Sequence, residues 1–190
     1  YGCVLTIFNP QGRDDFLNIN GTHLPSFNDE NVTVVFGFSA NTHNVPQILC
    51  QNFRNLEIMV LDTSQVGILT ENSFRNCQTL RILNLSANNL RIIPNFVFQN
   101  TPNLRQAGFS HNQISEIGEF AFRGAPIELL LFEFNRMTAI NGSFIPEIAD
   151  SLIYISFWGN SITSIPIGMF DQTTRLETID FSQNQLSVID

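Results

Sequence analysis

The stretch Leu80 to Pro94, LRILNLSANNLRIIP, places leucines at 80, 83, 85 and 90 around an asparagine at 88. This is neither the 3.6-residue period of a surface helix nor the strict alternation of a half-buried strand. The frame recurs along the chain. With the asparagine as marker it falls at Asn41, Ser64, Asn88, Asn112, Asn135, Asn160 and Asn184, at spacings of 23 to 25 residues. Eight residues before each marker stand Thr33, Leu56, Leu80, Leu104, Ile127, Leu152 and Leu176. Five before stand Phe36, Met59, Leu83, Ala107, Leu130, Ile155 and Ile179; three before stand Phe38, Leu61, Leu85, Phe109, Phe132, Phe157 and Phe181. Thr33 alone among them is polar, so the repeat governs the fold.

A unit of this length cannot bury its own apolar side. Stacked units can, as a solenoid with one continuous core and one parallel sheet. The two apolar residues before the marker alternate, so they share one side of a short strand and point inward. The marker ends the strand. A carboxamide carries two donors and two acceptor lone pairs, enough to bond its own turn and the neighbouring coil. Ser64 can do only part of this, which predicts a looser second coil. Apolar residues five after the marker (Leu69, Ile93, Ile117, Ile140, Ile165, Ile189) and phenylalanines ten after (Phe74, Phe98, Phe122, Phe170) are expected to line the convex half, the rings stacking in a column. That column accounts for 18 Phe beside one Trp and two Tyr.

The predicted fold class is therefore an α/β solenoid: an arc with a concave parallel β-sheet and convex loops or short 3-10 turns. Residues 31–190 form about seven repeats, the last incomplete. Residues 1–30 lie outside the repeat and are expected to form a β-hairpin cap, "CVLTIF" and "DFLNI" joined by the turn "NPQGRD". The chain ends halfway round a coil, which suggests a longer protein or a last coil buried against a partner, such as a symmetric dimer.

Nine basic residues, all Arg, stand against 17 acids, for a net charge of −8. Such a chain repels phosphate backbones, so nucleic acid is a poor partner. No apolar run approaches the roughly 18 residues that span a bilayer, and no zinc-ligand spacing, nucleophile elbow or phosphate loop is present. The reading is of no enzyme, no metal and no cofactor. Cys50 and Cys77 occupy similar positions in neighbouring coils and are expected to bridge. Cys3 is then the leftover, or takes Cys50 instead. Sequons at Asn20, Asn31, Asn84 and Asn141, with the possible disulfide and the acidic surface, favour a secreted glycoprotein.

Residues 33–190 resemble the typical extracellular leucine-rich repeat family, which includes Toll-type receptors, Slit-like guidance proteins and lymphocyte receptors of jawless fish. The N-terminal portion, "YGCVL…INGTHLPSFNDENVTVV", is similar to short secreted leucine-rich repeat proteins of dipteran insects, flies and mosquitoes. The cysteine that such proteins usually carry upstream, and a cysteine-flanked C-terminal cap, are absent from the sequence. The resemblance implies recognition, in innate immunity or developmental signalling.

The variable positions of each frame should face the concave side. Most are polar or small. In the fifth and sixth coils, Leu129, Leu131, Phe134, Tyr154 and Trp158 instead form an expected exposed cluster, rimmed by Glu128, Glu133, Glu177 and Asp180. Contiguous exposed apolar surface with Trp and Tyr marks an interaction site. The expectation is a secreted binding protein that takes a protein or other ligand there. The alternative is a structural module that self-associates through its C-terminal edge. His111 is read as a surface residue at a strand end.

Overall fold

The computed structural model describes residues 28–37 and 42–187, with the backbone of Thr6–Phe8 and Asn18–Asn20. Thr6–Phe8 (β1) and Asn18–Asn20 (β2) pair antiparallel, Ile7 opposite Ile19. Seven strands then form one parallel sheet in chain order: β3 (Val34–Phe36), β4 (Ile58–Val60), β5 (Ile82–Asn84), β7 (Gln106–Gly108), β9 (Leu129–Leu131), β10 (Tyr154–Ser156) and β11 (Thr178–Asp180). On the opposite side β6 (Ile92–Ile93) and β8 (Glu116–Ile117) pair in parallel, and the one α-helix among the described residues, α1 (Ile48–Asn52), precedes the second coil. Little helix and a parallel ladder make this a leucine-rich repeat solenoid.

The repeat positions carry the core. Leu56, Leu80, Leu104, Ile127 and Leu152 are buried, as are Met59, Leu83, Ala107, Leu130 and Ile155. The phenylalanines form two columns where one was expected. The convex column runs Phe74, Phe98, Phe122, Phe144, with centroid separations of 5.2, 5.3 and 5.7 Å. The fifth coil supplies its ring nine residues after its marker rather than ten. A second column rises from the strands, Phe109, Phe132, Phe157, Phe181, at 5.3, 5.8 and 5.2 Å. The columns touch where Phe98 meets Phe109 and Phe122 meets Phe132. Offset or tilted rings at these distances add to area burial, so the Phe excess serves two stacks.

The marker asparagines form the predicted ladder, with a feature the spacing did not reveal. Asn112 Nδ2 donates to Leu85 O of the preceding coil and to Phe109 O of its own, and its Oδ1 accepts from Leu90 N. Leu85 O also accepts from Asn88, and Phe109 O from Asn135. Phe132 O is likewise shared by Asn135 and Asn160, and Phe157 O by Asn160 and Asn184. Both lone pairs of these four strand-end carbonyls, Leu85, Phe109, Phe132 and Phe157 O, are thus filled by asparagines of successive coils. Ser64 keeps one bond down the solenoid, its Oγ donating to Gly37 O. A second ladder runs nine residues before the markers, where Asn55, Thr79, Asn103 and Ser151 donate to Glu30 O, Leu56 O, Gln78 O and Ile127 O.

The first coil corrects the sequence frame. Val35, assigned to the exposed face, pairs with Met59 and is buried, whereas Phe36, assigned to the core, is 55% exposed. Gly37, also read as exposed, is buried. The true register lies one residue toward the N-terminus, with Val32 in the place of Leu56. A strand alternates sides with period two, so a slip of one residue reverses every side chain. Phe38 and Asn41 lie outside the described residues, as do Cys3, Ile189 and the side chain of Asn20.

Cys50, in α1, and Cys77, in the corresponding turn of the next coil, form a disulfide with Cα atoms 5.0 Å apart.

Candidate binding surface

The outer two residues of each three-residue strand flank the inward one, and the register decides which meet across the sheet. Tyr154 lies opposite Leu129 on one flank and Thr178 on the other; Ser156 lies between Leu131 and Asp180. Leu129, Leu131, Tyr154 and Trp158 are half-buried, and Phe134 is 36% exposed. Phe134 and Trp158 meet edge to face, ring centroids 4.5 Å apart. The fifth- and sixth-coil residues singled out from the sequence therefore do lie together. Ser156, between Tyr154 and Trp158, is fully buried rather than presented.

His111 joins them. Its ring stacks on Phe134 at 4.5 Å and 17°, so an aromatic strip of His111, Phe134 and Trp158 crosses three coils. Backbone conformation sets this up. The residue before each described marker is left-handed: Thr63, Ala87, His111, Phe134, Gly159 and Gln183 have φ between 51° and 70°. That region costs an L-residue about 1–2 kcal/mol. In the sixth coil a glycine takes the position, and a Cβ there would stand 2.8 Å from the Phe134 ring. Gly159 thus leaves the space in which Phe134 lies beside Trp158.

The rim is acidic. Glu128 pairs with Arg105 at 3.6 Å, as Glu57 does with Arg81 at 3.8 Å in earlier coils. Glu133 accepts from Ser110 Oγ at 3.0 Å, and Asp180 Oδ1 accepts from Ser182 N at 2.8 Å. Among the described residues no arginine lies in ion-pair reach of Glu133, Glu177 or Asp180.

A second apolar zone covers the N-terminal half of the same face: exposed Phe36, with Val34, Ile58, Val60 and Ile82 half-buried. Sequence reasoning missed it because the slipped frame sent Phe36 inward. Polar residues separate the zones, Arg81, Arg105, Gln106 and Asn84 among them. Asn84 is half-buried on the sheet, its Oδ1 accepting from Ser86 N; Asn31 and Asn141 are exposed. Among the described residues no group of three or more His, Cys, Asp and Glu could hold a metal ion, and no helix is long and apolar enough to cross a membrane.

Comparison with known proteins agrees with this architecture. No curated protein matches the sequence. Among solved structures the chain is similar to the crystal structure of a TLR13–ssRNA13 complex, with a TM-score of 0.64 at 16% identity. The match covers 80% of this chain and 25% of that one, so it spans about a quarter of the TLR13 chain and bears on fold alone. The family model for the BspA type leucine-rich repeat region matches in 6 copies, over residues 43–158 and 93–190. With the register and the asparagine ladder, this shows that the chain belongs to the leucine-rich repeat proteins of the BspA type.

Proposed function

We propose that this chain is a non-enzymatic recognition module that binds a protein through the C-terminal half of its concave sheet. The observation that carries this is the contiguous ring and aliphatic surface of Leu129, Leu131, Phe134, Tyr154 and Trp158, with His111 beside it. Such surface on a soluble scaffold is rare outside interaction sites, and Trp and Tyr dominate binding hot spots. The similar TLR13 chain is seen with single-stranded RNA, but a net charge of −8 without lysine favours protein over phosphate backbone as partner here.

An extracellular setting is part of the proposal, supported by the Cys50–Cys77 disulfide and by sequons at Asn20, Asn31, Asn84 and Asn141. A glycan on Asn84 would stand on the sheet between the two apolar zones and direct a large ligand to the C-terminal half. Residues 1–30 are read as a cap on the first coil and 31–190 as the repeats. A role in innate immunity rests on the fold likeness alone.

The test is partner capture from the native fluid. Trp158→Ala should abolish it while shifting the thermal midpoint by no more than about 3 °C, since the indole is only half-buried. Equal capture by both forms refutes the reading.

A further inference from the structure

We infer that the segment bound at this face is cationic, an arginine- or lysine-bearing stretch of a protein whose side chains lie on Trp158 and Tyr154 while their charge meets Asp180 and Glu133. The inference rests on the concave face being the binding site and adds the chemistry of what it takes. It starts from charge. Glu133, Glu177 and Asp180 border the aromatic strip without an arginine against any of them, in contrast to Glu57 and Glu128. Two of the three are held in place, Glu133 by Ser110 and Asp180 by Ser182 N. A neutral partner that covered the rings would dry these carboxylates without replacing their water, a penalty that grows with burial.

A cationic partner removes that penalty and adds attraction of its own. Ring faces carry negative potential, strongest for Trp. Arginine and lysine also lay their aliphatic stems along apolar surface while the charge reaches the edge, which suits a floor of Leu129 and Leu131 beside acids. Register makes the reach short: Asp180 pairs with Ser156, between Tyr154 and Trp158, and Phe134, next to Glu133, bonds Trp158 O through its backbone N–H. The chain's overall charge of −8 would draw such a partner in.

The chain contains one Trp, so its emission reports this site directly. The intact protein is titrated with a capped peptide of alternating arginine and glycine, and with the same peptide carrying citrulline, the neutral isostere, in place of arginine. The expected result is a saturable change in emission with the arginine peptide and affinity lower by about tenfold or more with citrulline. The Glu133→Gln, Asp180→Asn double variant should bind the arginine peptide with the same weakening. Equal affinity for both peptides, an unaltered double variant, or no saturable response to the arginine peptide overturns the inference. These outcomes leave the broader reading standing, because that reading falls only if natural partner capture survives Trp158→Ala.

Discussion

Replacing Asn112 by alanine tests the ladder at a buried point in the middle of the solenoid. The residue is 8% exposed and its side chain forms bonds across two coils. Its loss orphans Leu90 N–H, which belongs to a fully buried residue and has no water to turn to. A buried donor stripped of its partner costs about 1–3 kcal/mol. Leu85 O and Phe109 O are not orphaned, because Asn88 and Asn135 still donate to them. Each loses one of two bonds, at about 0.5–1 kcal/mol apiece. The sum is about 3 kcal/mol. Asn184→Ala makes the control: it has the same bonding pattern to Ile162 N, Phe157 O and Phe181 O, and Ile162 is as buried as Leu90, but Asn184 itself is half-buried, so water entering the space it leaves can replace part of what is lost. About 1 kcal/mol is expected there. Urea unfolding followed by circular dichroism and by Trp158 emission would measure both. Equal losses at the two sites, or a loss under about 1 kcal/mol at Asn112, would show that the ladder follows from the stacking and does not stabilise it.

Removing the disulfide with Cys50→Ser and Cys77→Ser should cost about 3.5 kcal/mol, the loop-closure entropy for a separation of 27 residues, read as a lowered urea midpoint. Gly159→Ala should destabilise by about 1–3 kcal/mol from the left-handed backbone and the crowded Phe134 ring, and should shift Trp158 emission as that ring moves; an unmoved spectrum would dissociate Gly159 from the strip. Ser64→Asn should raise stability by about 1 kcal/mol, since a carboxamide can bond both to its own strand end and to Thr42, whose buried Oγ1 has no hydrogen-bond partner; a lower melting midpoint would mean that the second coil has no room for it.

The core was legible in the sequence because the repeat samples each position several times. Leu83 alone says little, but Met59, Leu83, Ala107, Leu130 and Ile155 at one offset identify a buried column. Where the repeat carries two readings, it fails. Val34, Val35 and Phe36 are all apolar, so either alternation satisfies the hydrophobic pattern and only pairing with Met59 selects Val35. The candidate face was legible in part for the same reason. Leu129, Leu131 and Tyr154 stand at positions that the fourth and seventh coils fill with Gln106, Gly108, Thr178 and Asp180, and that departure is visible. The stacking of His111 on Phe134 was not visible, since it depends on a backbone conformation that the residue types do not announce. Thr, Ala, His, Phe, Gly and Gln occupy that column, and only one of them favours a positive φ.

That column is where scaffold and surface are joined. The marker asparagine must turn inward to reach the carbonyls of two coils, and the residue before it turns the chain into position at a conformational cost. The same turn places that residue's side chain at the edge of the sheet, as the contacts of His111 and Phe134 show. The ladder bonds recur along the solenoid and can bear the cost coil by coil, so the position is free to carry whatever side chain the face requires. Ala87 and Gln183 leave it plain, His111 and Phe134 build the strip, and Gly159 clears room for it. A change in this column alters the surface without touching the apolar core. A change in the asparagine beside it alters both, because the turn that presents the ring is held by the bonds the asparagine makes.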